Sequence, residues 1–151
     1  MADGPYAPAT IRVLPSWLLG RAAARGHQLV AKALAREHIR MMHHAALATV
    51  ADRGPLSQAE LGRILKVDRK DMSAIVRDLD ERGLVVRIPD PADRRRNAVS
   101  LSPAGTRLLH RTEKLGEQAN AELTAVLTPN EREQFIELLT RIVSPAEQPT
   151  E

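Results

Sequence analysis

A chain of 151 residues can hold one domain with a real core or two small lobes. Apolar residues make up 43%, yet Trp17, Tyr6 and Phe135 are the only aromatics, so the core must come from aliphatic side chains and Met, which favours helices over stacked sheets. With no cysteine, disulfides and thiolate metal sites are excluded, and a net charge of +3 from 22 basic and 19 acidic residues permits nucleic-acid binding without arguing for it.

No apolar run nears the ~18 residues of a membrane span. The opening MADGPYAPAT lacks the basic and apolar regions of a signal peptide. A cytoplasmic protein with no membrane partner is expected.

Residues 1–14 carry Pro and Gly without periodicity and read as a loose arm. From Pro15 to Ala35 a helix is expected, with Leu18, Leu19, Ala22, Leu29, Val30 and Leu34 in its pattern. A second, over about Ile39–Ala51, places Ile39, Met42, Ala46, Leu47 and Val50 on one face, and Arg53-Gly54-Pro55 stops it. Ser57-Gln58-Ala59-Glu60 has the spacing of a capping box, opening a short helix expected to bury Leu61, Ile64 and Leu65. Asp68 caps the next helix, Arg69 to about Arg82, whose buried stripe is Met72, Ile75, Val76 and Leu79; Gly83 ends it.

The period then changes. Leu84–Ile88 and Ala98–Leu101 are short β-branched runs, and the turn-rich segment Pro89–Asn97 between them predicts a hairpin with a basic tip. Ser102-Pro103 restarts helix, expected to reach Leu127 with Leu108, Leu109, Leu115, Ala119, Leu123 and Val126 on its apolar side. Thr128-Pro129-Asn130-Glu131 opens a last helix carrying Phe135, Leu138, Leu139, Ile142 and Val143, and residues 144–151 read as a disordered tail.

Short helix, turn, second helix and two-stranded hairpin form a winged helix-turn-helix: mainly α with a small β-hairpin. Such folds lay the second helix in the major groove of DNA. Opposite the buried stripe of 69–82 stand Lys70, Ser73, Ala74 and Arg77, with Arg69 beside them: donors and a small residue suited to base edges and phosphates. Asp68 and Asp71 share that first turn and would repel phosphate unless engaged as caps. Ser57 and Gln58, at the start of the preceding helix, join the candidate DNA contacts. In the hairpin tip Arg94, Arg95 and Arg96 suit the negative potential of a narrow minor groove, and Asp93 is placed to brace one guanidinium.

The segment Leu56–Gly105 resembles the MarR family of bacterial transcription regulators. Leu56, Ser57, Glu60 and Leu61 match its Leu-Ser…Glu-Leu helix, and Leu79, Asp80, Gly83 and Leu84 the Leu-Glu-x-x-Gly-Leu end of its recognition helix, Asp80 replacing glutamate. Asp93 and Arg95 match its wing. Val99, Leu101, Ser102 and Gly105 match its strand-to-helix junction.

The resemblance implies a homodimer in which 15–35 and 103–143 interleave with a second copy, while 39–101 forms the DNA-binding lobe. It further implies a regulator, as a rule a repressor, that reads a near-palindromic operator in double-stranded DNA. It also implies a small aromatic or phenolic acid as releasing ligand, for which Trp17, Arg40, Met41 and His44 are the pocket candidates. Zinc sensing is the alternative within the fold, through His27, His38, His43, His44 and His110 with Glu37 and Glu113; no histidine pair has ready-made i, i+4 spacing, so no metal or cofactor is expected. A second alternative is a helical module whose wing meets an acidic protein. No phosphate loop, activated nucleophile or paired carboxylates appear at useful spacing, so no enzyme is expected.

Overall fold

A computed structural model describes residues 7–144. Part of the arm expected over 1–14 and nearly all of the tail expected over 144–151 lie outside them. The chain runs through α1 (Ala9–Arg12), α2 (Pro15–Ala35), α3 (Met41–Arg53), β1 (Leu56–Ser57), α4 (Gln58–Leu65), α5 (Arg69–Glu81), β2 (Val85–Pro89), β3 (Asn97–Leu101), α6 (Pro103–Leu123) and α7 (Pro129–Val143). No helix of the described residues is long and apolar enough to cross a membrane.

Local signals set most of these boundaries. Ser57 Oγ accepts from the Glu60 amide while the Glu60 carboxylate accepts from the Ser57 amide, closing the capping box of α4. Asp68 accepts from the Asp71 amide to start α5, and Ser102 accepts from Gly105 to start α6. Thr128 and Glu131 close a second box on α7, with Pro129 at its first position. Gly54 and Gly83, at φ +78° and +68°, end α3 and follow α5 in a conformation that glycine adopts without a Cβ clash.

The core is aliphatic, as the composition requires. Leu34, Ile39, Leu47, Val50, Leu61, Met72, Val76 and Leu79 are buried together with Leu108 and Leu109 of α6. The α2–α6 pair forms one body, and α3 joins it to α4, α5 and the sheet. Across the helix-turn-helix, Lys66 takes a left-handed conformation, φ +54°, and the Val67 amide bonds back to the Gly62 carbonyl. A Cβ at Gly62 would stand 2.9 Å from the Val67 carbonyl oxygen, so the turn closes tightly over that helix face.

Several expectations are corrected. The α3 helix begins at Met41, not Ile39: Ile39 is buried in the elbow before it and Arg40 is extended. Ile64 is exposed, because α4 turns only Leu61 and Gly62 fully inward. Pro89 and Asn97 pair with each other, so the hairpin tip contracts to 90–96. Leu56–Ser57 pairs with Val99 and Ala98, giving a three-stranded antiparallel sheet in the order β1-β3-β2 rather than a lone hairpin. The α6 helix stops at Leu123 rather than Leu127: Thr124 leaves the helical conformation, and Val126 projects outward. Finally, α7 buries none of its residues within the chain.

Candidate nucleic-acid interface

The amphipathic period of α5 divides it cleanly. Met72, Ile75, Val76 and Leu79 are buried, whereas Arg69, Lys70, Ser73 and Arg77 are exposed and Ala74 is half-buried. Asp68 accepts from the Asp71 amide with one carboxylate oxygen and so serves as the helix cap. Gln58 and Arg69 line one cleft of about 400 Å³ across the helix-turn-helix. Arg63 lines it too and escaped the sequence reading; its signal was the i, i+3, i+4 stripe of Ala59, Gly62 and Arg63 on α4. Ser57 is buried and its hydroxyl accepts from the Glu60 amide in the capping box, so it starts α4.

The hairpin tip is ordered by its aspartates. Asp90 accepts from the Ala92 amide at 2.9 Å and Asp93 from the Arg95 amide at 3.1 Å, two Asx turns in succession. The brace expected of Asp93 falls on Arg96, whose Nε lies 3.7 Å from Asp93 Oδ2. Among the described residues no carboxylate or acceptor holds the guanidinium of Arg94 or Arg95, and both residues are exposed. An exposed pair such as Arg96–Asp93 contributes at most about 1 kcal/mol, so its effect is to shape the tip rather than to stabilise the fold.

The four pocket candidates separate. Arg40 and Met41 line an open cleft of about 810 Å³ between α3 and the α4–α5 turn, with Lys66, Asp71 and Asp78 on its walls. Trp17 lies elsewhere on α2 with the Arg21 guanidinium 5.7 Å over its ring. His44 turns to α6, its Nδ1 2.9 Å from Thr112 Oγ1. Of the histidines, His43 places Nε2 3.3 Å from Asp78 Oδ2, while its buried Nδ1 has no hydrogen-bond partner among the described residues. Among the described residues no three His, Asp or Glu side chains gather closely enough to hold a metal ion.

His44 has a defined chemistry. The Thr112 hydroxyl donates to the Leu109 carbonyl at 3.0 Å, so its oxygen is left to accept and His44 Nδ1 carries the proton. Burial lowers the His44 pKa from 6.5, against a smaller opposing effect of Glu113. The unfolded chain therefore binds the proton more tightly than the folded one. The stabilising contribution is complete above the unfolded value and is lost as pH falls through the lowered folded value. Thermal unfolding should show the wild-type midpoint dropping more steeply than that of H44N between about pH 7 and pH 5. Parallel curves would mean that His44 titrates alike in both states.

A helix-turn-helix whose second helix exposes Arg69, Lys70, Ser73 and Arg77, followed by an arginine-tipped hairpin, defines the class: a winged helix-turn-helix protein. Residues 39–96 match the MarR family model. The chain is 34% identical over 99 residues to a putative transcriptional regulatory protein for the hcr operon of Thauera aromatica, an alignment covering 66% of this chain. It spans about three fifths of that relative's length. A crystal structure of a probable transcriptional regulator from Pseudomonas aeruginosa is 33% identical with a TM-score of 0.76, covering 87% of this chain and 98% of that one. Bordetella bronchiseptica BpsR, whose DNA binding is regulated by 6-hydroxynicotinic acid, is 26% identical with a TM-score of 0.76, covering 95% and 100%. The chain belongs to the MarR family.

Proposed function

We propose that the protein is a dimeric, sequence-specific DNA-binding transcription regulator acting as a repressor. In this reading α5 enters the major groove of each half of a near-palindromic operator, and the 90–96 tip reaches the flanking minor groove. The observation that carries it is the pairing of an exposed Lys70-Ser73-Arg77 stripe with two exposed wing arginines, Arg94 and Arg95, that no carboxylate among the described residues neutralises. Groups with no internal role and this chemistry match base edges and a narrow groove. Half-sites would lie roughly 34 Å apart, one helical turn.

The releasing ligand is proposed to be a small aromatic acid held in the cleft of Arg40 and Met41. The likeness to BpsR supports that class. A carboxylate there would pair with Arg40 or Lys66 and keep clear of Asp71 and Asp78, which line the same space.

Fluorescence-anisotropy titration of labelled duplexes at two salt concentrations tests the reading, and repeating it with 6-hydroxynicotinic acid tests the ligand. Arg77→Ala is expected to cost about 1–3 kcal/mol and relax preference at a few base pairs. Arg95→Ala should weaken binding most on A·T-rich flanks. Equal losses for both variants on every sequence would remove this division of labour. Binding to all duplexes alike, erased by salt, would leave only unspecific attraction and return the wing to an acidic protein partner.

A further inference from the structure

The elbow between α2 and α3 is strained and doubly held. His38 sits at φ +54°, a left-handed conformation uncommon for a side chain with a Cβ, and Ile39 is buried directly after it. Such backbone persists only where its surroundings impose it. Two arginines supply the imposition. Arg82, the residue that ends α5, donates from Nη1 to the His38 carbonyl at 2.9 Å and from Nη2 to the Glu37 carbonyl at 3.5 Å. From the other side, Arg111 of α6 grips the Glu37 carboxylate with Nε at 3.1 Å and Nη2 at 3.2 Å.

The result is a continuous polar chain from the end of α5, through the elbow, to α6. Its position matters because α5 packs chiefly on α3, α4 and β2, while α6 packs on α2. The forked guanidinium of Arg82 spans two successive carbonyls, a geometry that fixes direction as well as distance. We propose that Arg82 is a positioning residue: it locks α5 at one tilt relative to α2 and α6 through the Glu37–His38 elbow, and so sets which half-site spacing the dimer accepts. The proposal rests on the reading of the protein as a dimeric DNA binder.

The test uses the full chain and a duplex that the wild type selects from a random library. That duplex is compared with a version carrying two added base pairs between half-sites and with an isolated half-site. Wild type should prefer the selected spacing by about fiftyfold, and R82M should reduce that preference to about fivefold or less with half-site affinity unchanged. R82K, which keeps one donor group but not the fork, should fall between them. R111M breaks the chain at its other link and should narrow the preference likewise; it decides the matter if R82M does not fold. An R82M protein with undiminished spacing preference, or one that loses half-site affinity equally, overturns the proposal: Arg82 would then be inert or a direct DNA contact. If no duplex is enriched by the wild type, the DNA reading itself fails and the proposal falls with it.

Discussion

Alanine at Gly105 is expected to destabilise the protein by about 4 kcal/mol or more, among the largest effects of any single substitution here. A Cβ built on Gly105 overlaps the carbonyl oxygen of Leu84 and crowds its carbonyl carbon. The obstacle is backbone, which cannot swing aside like the end of a long side chain. That backbone is also pinned: the Leu84 carbonyl accepts from the Ser102 amide at 3.1 Å, and the Ser102 hydroxyl donates to the Gly83 carbonyl while accepting from the Gly105 amide. Relief would require the first turn of α6 to lift off the start of β2. Urea unfolding measures the loss. The helix-interior control is G116A, where an added Cβ meets nothing within 4 Å and a gain of about 0.5–1 kcal/mol is expected. A G105A protein within about 1 kcal/mol of wild type would show that the close approach does not exist in solution.

The second large effect concerns assembly. In α7, Ile136, Leu138, Ile142 and Val143 are all exposed, and Val126 just before it is 89% exposed. An aliphatic surface of this extent calls for a partner, and a second copy is the occupant proposed here. In L138D/I142D the proposed dimer should become a monomer by light scattering while most helicity is retained. Selected-operator affinity should then fall by about a hundredfold or more, because the two half-sites no longer share one molecule. A double variant that remains dimeric, or a wild type that is monomeric at micromolar concentration, would put the interface elsewhere.

Much of the fold was legible because its boundaries are written locally. Ser57 and Glu60, Asp68, Ser102 with Pro103, and Thr128 with Pro129 and Glu131 each act within one helical turn, so each could be read without knowing what packs nearby. The exposed and buried faces of α5 follow from its 3.6-residue period. What escaped was non-local or too short to have a period. A two-residue strand has no alternation, and Leu56–Ser57 becomes one only because β3, more than forty residues later, pairs with it. The grip of Arg82 on the elbow joins residues 44 and 45 positions apart, and Glu37 meets Arg111 across 74. Trp17, Arg40, Met41 and His44 share a suitable chemistry and stand near the ends of the first helical segments, but neither signal shows what packs beside each of them. The helix rotation that turns His44 toward Thr112 depends on α6, which no local pattern near His44 reveals.

The smallest strand carries a consequence for how the lobe opens. Ser57 is at once the cap of α4 and the partner of Ala98, so the entry to the helix-turn-helix is joined to the central strand of the sheet, which is also a strand of the wing. The wing is therefore not a flap on a free hinge. Peeling β3 away exposes the amide ladder on both its sides and removes the strand that holds Ser57, the cap of α4, in place. In native-state hydrogen exchange the amides of Ala98, Val99 and Glu60 are therefore expected to exchange with one common opening free energy, and three separate values would show that the strand and the cap open independently.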